Sequence, residues 1–385
     1  MALLSELPLA ILTTILILLP PDVLMKLMTV CKSWKEMIEN PIFAKQYWKM
    51  AASRGEDHIM FLSRYHPGPD QQSFSLLNGR TFEIDSPLTI PPALQRWKKN
   101  LRAVGSCRGV VCVSELTSFG FNLYLCNPSI WKYWTLPPSG INVSLAKTVF
   151  LGFAYHSQES DFKVVRLTYG VFRNDFRCSR THGHDIKVEL YSFVNNSWKD
   201  IEVGFFPWYI STPTSEVFVA ESLHWKVLFG DNQMQTFRAK ILAFDFRHES
   251  FREISVPSDS GISRLCDLEF LGVFRGLLGV LSYCPYNEGV YVGENRDLWV
   301  MNEYGNPDSW IKLYTITLDI GVERPLMFTE AEEIIFLDIG RYAFVWNLVT
   351  RNIAYLGVRV PSESDFFVFT KSMTLVDKTN EPIQV

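Results

Sequence analysis

Uninterrupted apolar runs are short in this chain of 385 residues. The greasiest stretch, Leu7 to Leu19, is broken by Pro8 and two Thr and is stopped by Pro20-Pro21. A membrane-spanning helix needs about 20 apolar residues, so this stretch is not expected to cross a bilayer. A secretory signal carries basic residues ahead of its apolar core, and Met1 to Leu7 hold only Glu6. Charge of one sign is also missing. The net charge of −4, with 20% charged residues, excludes the basic footprint of a nucleic-acid binder. The seven cysteines are too few and too spread for a small disulfide scaffold, which points to reduced thiols in the cytoplasm or nucleus. The sequons Asn142-Val143-Ser144 and Asn195-Asn196-Ser197 would matter only in a secreted chain. No G-x-S-x-G elbow, G-x-G-x-x-G turn or phosphate-binding loop occurs.

Apolar and aromatic residues are plentiful. Hydrophobic residues make up 47%, enough for a sizeable core, and aromatics 14%, with 28 Phe, 15 Tyr and 11 Trp. Large rings pack well on pleated surfaces, so β structure is favoured. The length suits one large domain and one small one.

The small one comes first. Apolar positions recur at helical spacing through Val23, Leu24, Leu27, Met28, Val30, Trp34 and Ile38. They predict a helix near Leu9 to Leu18, a proline break, and two short helices between Asp22 and Ile38. Asn40 suits a cap and Pro41 a first helical position for a fourth helix ending near Gly55. A unit of that size buries little surface by itself, so its apolar faces must pack on the same chain or on a partner. The ordered set Leu7-Pro8, Ile11, Ile15, Leu18, Pro20, Leu24, Leu27, Val30-Cys31-Lys32-Ser33-Trp34 and Ile38 resembles an F-box. That resemblance implies docking on the Skp adaptor of cullin–RING ubiquitin ligases, with Leu7, Pro8, Ile11, Ile15, Leu18, Pro20, Leu24, Leu27, Val30, Cys31, Trp34 and Ile38 as adaptor-binding residues. The acidic stretch usual after the first Leu-Pro is missing, since Ala10 to Thr14 carry no charge.

After Gly55 short apolar runs alternate with Gly, Pro, Asn and Asp. One hairpin pattern recurs at Leu123–Pro138, Val188–Val203, Ile241–Pro257, Asp297–Ile316 and Phe344–Val358, with Trp134, Trp198, Phe251, Trp310 and Ile353 at the marked position. A second run type lies between copies, as in RGVVCV, ESLHWKVLF, FRGLLGVLSY and EEIIFLDI. Repeats of this kind, spaced roughly 45–65 residues, suggest propeller blades. His58 to Pro87 reads as a first, degenerate blade, and Phe366 to Val376 as a final strand that closes against it. The stretches VGSCRGVVCV, LYLCNPSIWKYWTLPP, FLGFAYHSQESDFKVVRLTY, VELYSFVNNSWKDI, SLHWKV and ILAFDFRHESFREI resemble, in order, the F-box-associated domain of plant F-box proteins. Ser129-Ile130-Trp131 and His156-Ser157 depart from that pattern. Length and wording are similar to the S-locus F-box group, which recognises secreted ribonucleases in pollen self-incompatibility.

The expected architecture is therefore an α+β multidomain chain. Residues 1–55 form an all-helical F-box module, 56–376 a mainly antiparallel β domain, and 377–385 a tail. The β domain is a five- to six-bladed propeller-like ring. The expected role is that of a non-catalytic substrate-recognition subunit of a Skp–cullin–F-box ligase, in the cytoplasm or nucleus. Its partners would be the Skp adaptor, through it cullin and a RING protein, and a target protein, a secreted ribonuclease if the S-locus likeness holds. No cofactor, metal, nucleic acid or membrane is expected. The alternative is a propeller carbohydrate-binding protein or hydrolase with a helical cap. Cys178, His182, His184 and Asp185 have zinc-ligand types without finger spacing and read as a surface loop. Cys107 and Cys112, read as part of one strand, are expected to point to opposite faces. Loops Tyr169 to Asp185, Phe206 to Ser215 and Asn287 to Asn295 are candidate target contacts.

Overall fold

The computed structural model describes residues 8–374 except 55–56, 63–72, 80, 82, 84–87, 90–100, 118–119, 141–145, 171–184, 204–207, 210–216, 231–236, 258–261, 263–266, 284–285, 288–289, 292–294, 330 and 361–364. The chain divides into two compact units. One gathers Met1–Thr117, Phe121–Pro138 and Glu363–Val385; the other holds Ser118–Gly120 and Ser139–Ser362.

The first unit opens with four helices: α1 (Leu9–Ile17), α2 (Pro21–Leu27), α3 (Lys32–Ile38) and α4 (Pro41–Ser53). Each boundary follows from local chemistry. Pro20 cannot continue α1, whereas Pro21 fits the first position of α2, where its missing N–H costs nothing. The Asn40 side chain accepts a hydrogen bond from the Ile42 N–H at 2.8 Å and so caps α4. The four expected helices are found within a few residues of their expected ends. Leu12, Leu16, Ile17, Leu24, Ile38, Phe43 and Tyr47 form their common core. The Tyr47 hydroxyl donates to the Leu19 carbonyl across that core at 3.1 Å.

Two antiparallel sheets complete this unit. The first has the order Asp365–Thr370, Asp57–Leu62, Ser73–Asn78, Leu88–Thr89. Its closing strand comes from the far end of the chain, and Asp57 pairs with Thr370 through to Leu62 with Asp365. The expected closing strand and degenerate first blade therefore meet. The second sheet runs Leu101–Cys107, Val110–Thr117, Gly120–Asn127, Lys132–Thr135. Leu76, Leu101, Val111, Val113, Tyr124, Cys126 and Phe369 pack between the two.

The second unit holds four more sheets of four or five strands. They run from Ala146–His156 to Ser197–Ile201, from Trp208–Tyr209 to Ser250–Ser255, from Leu268–Phe274 to Trp310–Thr317, and from Val322–Phe328 to Ile353–Arg359. Neighbouring sheets share cores, such as the one joining Phe150, Val165 and Leu190 to Leu223, Trp225 and Phe244. Among the described residues, six sheets of four or more strands thus repeat one antiparallel pattern.

The repeated hairpins share one register. Trp198 faces Tyr191, Phe251 faces Phe244, Trp310 faces Met301 and Ile353 faces Trp346. In the second sheet the equivalent position, one step from the turn pair Asn127–Lys132, is Tyr133 opposite Cys126. The expected Trp134 lies one residue on, opposite Leu125. The turn pair Asn127–Lys132 has the same spacing as Ser192–Ser197 and Asp245–Ser250, so Trp134 stands one residue past the equivalent position and on the other face. In four of the five copies the side chain ending the third strand caps the turn: Asn127 accepts from Ser129 N–H, Ser192 from Asn195, Asp245 from Arg247 and Asn347 from Val349. Cys107 and Cys112 lie on successive strands joined by the turn Arg108-Gly109, so alternation along one strand does not apply to them. Cys112 is buried and Cys107 half-buried.

Candidate functional site

The twelve residues expected to hold an adaptor separate into distinct environments. Ile11, Ile15 and Leu18 remain 49%, 39% and 52% exposed. Their spacing of four and then three residues puts them on one face of α1 and its C-terminal end. Pro8, Pro20, Val30 and Cys31 are exposed as well, while Leu27 and Trp34 are half-buried. Leu24 and Ile38 are fully buried in the helical core. They are the two members of the expected set that belong to that core, together with Leu12, Leu16, Phe43 and Tyr47. Leu7 lies outside the described residues.

Sequence reasoning passed over a second apolar surface. Leu9, Ile42 and Met50 are exposed around a groove bordered by α1, α3 and α4, with Met37 and Phe43 at its base. The signal for it was available: seven of the nine residues of α1 are apolar, Thr13 and Thr14 being the exceptions, so one helix serves a core and two exposed faces. Charge is peripheral. Lys26–Asp22, Lys32–Glu36 and Lys35–Glu39 are exposed pairs four residues apart on α2 and α3, at 4.0, 3.8 and 3.9 Å. Such pairs contribute a few tenths of a kcal/mol, about, and they leave the apolar face as the dominant feature.

The β sheets have two unlike ends. Connections into the second strand are tight turns at Arg108-Gly109, Ala220-Glu221 (from the short strand Val217–Val219) and Arg275-Gly276, with both φ values positive in each. This is the mirror-image turn whose twist matches paired strands. Connections from second to third strand are longer at 171–184, 231–236 and 284–294. Antiparallel alternation puts these at the opposite end of their sheets. The expected contact loops Tyr169 to Asp185, Phe206 to Ser215 and Asn287 to Asn295 belong to that end or to links between sheets, and most of their residues lie outside those described.

Four buried polar groups in the β sheets have defined partners. Arg166 Nε donates to Glu189 Oε2 at 2.8 Å from the adjacent strand, and the guanidinium lies over the Trp198 ring. Arg296 pairs with Glu269 at 2.8 Å, while burial holds the Glu269 carboxyl above the usual range. Lys226 donates to the Leu268 and Glu269 carbonyls at 3.2 and 3.1 Å, and burial brings its ammonium down to about 8. His224 is enclosed between the Val217 carbonyl at 3.0 Å and the Tyr304 hydroxyl at 2.8 Å, and burial lowers it to about 4. Among the described residues no group of three or more His, Cys, Asp or Glu is placed to hold a metal. Cys178, His182 and His184 lie outside the described residues. Among the described residues no helix is long and apolar enough to cross a membrane.

Residues 71–358 match the family model of the F-box associated beta propeller domain. The chain belongs to that family. Ahead of this F-box-associated propeller, residues 4–48 match the F-box-like model. The chain is also similar to F-box proteins of Arabidopsis thaliana. An F-box/kelch-repeat protein (At3g23880) is 27% identical over 84% of this chain and 83% of its own length. F-box protein CPR1 is 26% identical over 96% of this chain and 89% of its own, and F-box protein At4g22390 is 27% identical over 96% and 90%. The helical module is thus the F-box-like part of a plant-type F-box protein, and the repeated sheets are blades of its propeller.

Proposed function

We propose that this F-box-associated propeller protein is the substrate-recognition subunit of a Skp–cullin–F-box ubiquitin ligase. The observation that carries the reading is the exposed strip Ile11, Ile15 and Leu18 on an F-box-like module whose own core is already filled. A Skp adaptor would cover this strip together with Val30 and Cys31. The chain performs no chemistry. It tethers a target near the charged ubiquitin carrier and so raises the effective concentration of the target's lysines. The target is held by the long connections, where loop sequence can vary on a fixed scaffold. The likeness to the S-locus group makes secreted ribonucleases the first target class to try. Such a complex works in the cytoplasm or nucleus and leads its target to the proteasome.

The test is reconstitution. The purified intact chain and a Skp adaptor are expected to elute together from a size-exclusion column at equal stoichiometry. Separate elution of two folded proteins would reject the reading.

A further inference from the structure

We infer that Ser372–Thr374, just past the closing strand, form a clasp that locks the helical module onto the first two sheets. The proposed consequence, a fixed placement of adaptor relative to the first two sheets, rests on the receptor reading; the clasp itself does not. Only residues 54–56 join α4 to the strand Asp57–Leu62. The second connection is non-covalent and is built from three contacts that converge on one short segment.

Asn127 is the first. It is fully buried at the end of a strand in the second sheet, 245 residues from Ser372 in sequence. Its side-chain nitrogen lies 3.0 Å from the Ser372 carbonyl, 3.1 Å from Ser372 Oγ and 3.0 Å from the Thr374 carbonyl. Its side-chain oxygen is used in its own turn, accepting from Ser129 N–H at 2.9 Å. The side-chain nitrogen of the equivalent Asn347 donates instead to Glu333, on the neighbouring strand of its own sheet.

The second contact is the turn Arg108-Gly109. A Cβ on Gly109 would collide with the Ser372 side chain and come within 2.7 Å of the Thr370 carbonyl, so the segment lies in the space a side chain would occupy. Thr374 Oγ1 donates to the Arg108 carbonyl at 3.2 Å. The third contact lies on the module side. Met373, 1% exposed, inserts among Leu12, Leu16, Phe43 and Tyr47, beside Ile130 from the second sheet. The Arg108 guanidinium lies 4.9 Å above the Trp48 ring of α4. Met373, which joins the helical core, therefore comes from the segment just past the strand that completes the first sheet.

Tryptic cleavage after Arg54, in the covalent link, reports release of the clasp, and it is measured on the full chain. Met373→Asp puts a charge into the shared core. Gly109→Ala pushes Ser372 away from the sheet side without changing a module residue. Met373→Leu keeps the packing. Gly276→Ala is the control for turn strain, because Gly276 has a similar φ of +77° in the same kind of turn and open space where its Cβ would go. Met373→Asp and Gly109→Ala are expected to be cleaved about tenfold faster than wild type, through local opening. Met373→Leu and Gly276→Ala are expected to match wild type. If Met373→Asp fails to fold, Gly109→Ala decides alone. Wild-type rates for Gly109→Ala, or equal acceleration by Gly276→Ala, would overturn the clasp. Skp-adaptor affinity is measured on the same proteins. It is expected to be unchanged in Gly109→Ala; a wild-type chain that does not bind the adaptor would overturn the receptor reading and leave the cleavage result standing.

Discussion

Replacing Ile11, Ile15 and Leu18 together by Gln tests the docking face with little disturbance to α1. Gln is a good helix former, and all three side chains stand 39–52% exposed, so their removal opens no large cavity. Complete burial of one Ile or Leu stabilises by about 1.5–3 kcal/mol. Roughly half of each surface is still available to a partner, so docking gains about 1 kcal/mol per residue and about 3 kcal/mol from the three. That corresponds to a loss of about two decades in adaptor affinity. Leu24→Ala is the contrasting variant. It empties a fully buried site and is expected to cost about 2–5 kcal/mol of stability, while its folded fraction binds adaptor as wild type does. Calorimetric titration with purified Skp adaptor reads the first number and thermal melting the second. A triple variant that binds within about twofold of wild type, or a Leu24→Ala protein that is fully stable yet does not bind, would refute the division of roles between the exposed strip and the core.

Three further outcomes follow from the β sheets. His224 has a folded-state pKa of about 4, depressed by burial from its ordinary 6.5. The unfolded chain therefore binds more protons between these values, and stability falls as pH drops from 6.5 towards 4, by about 3 kcal/mol in all; His224→Gln is expected to flatten that part of the pH–melting profile, and an unchanged slope would contradict the assignment. Arg166→Ala leaves the fully buried Glu189 carboxylate without its partner and is expected to cost about 3–5 kcal/mol by denaturant melting, whereas Arg166→Met with Glu189→Met is expected to cost far less. Ala220 holds φ +50° in a tight turn, so Ala220→Gly is expected to stabilise by about 0.5–1 kcal/mol, read as a higher melting temperature; a lower one would show that the turn bears no strain.

Much of the architecture is legible in the sequence because its signals are local. Pro20, Pro21, Asn40 and Pro41 punctuate the helices within a turn of where they act. The hairpins announce themselves because a ring, a capping Asn, Asp or Ser and a left-handed residue recur within one short turn. Even the closing strand could be named, since a repeat that begins with an incomplete copy needs a strand from elsewhere. What stayed hidden depends on distant neighbours. Leu24 and Leu18 are both leucines in an apolar helical pattern, and only packing shows that one is covered and the other bare. Tyr133 and Trp134 are adjacent rings, and hydrophobic spacing does not show which of them takes the position opposite Cys126. Nothing near Asn127 or Ser372 suggests that they meet across 245 residues.

The central claim is that this chain brings a target to a cullin-based ligase through its helical face. Affinity purification of the intact chain from plant cells with the proteasome blocked tests it most directly, run beside the Ile11/Ile15/Leu18 triple Gln variant. The account predicts that Skp adaptor and cullin are recovered with wild type and lost with the variant, and that a ubiquitinated target accumulates on wild type alone. Recovery of an intact, folded wild-type chain with neither adaptor nor cullin would contradict it.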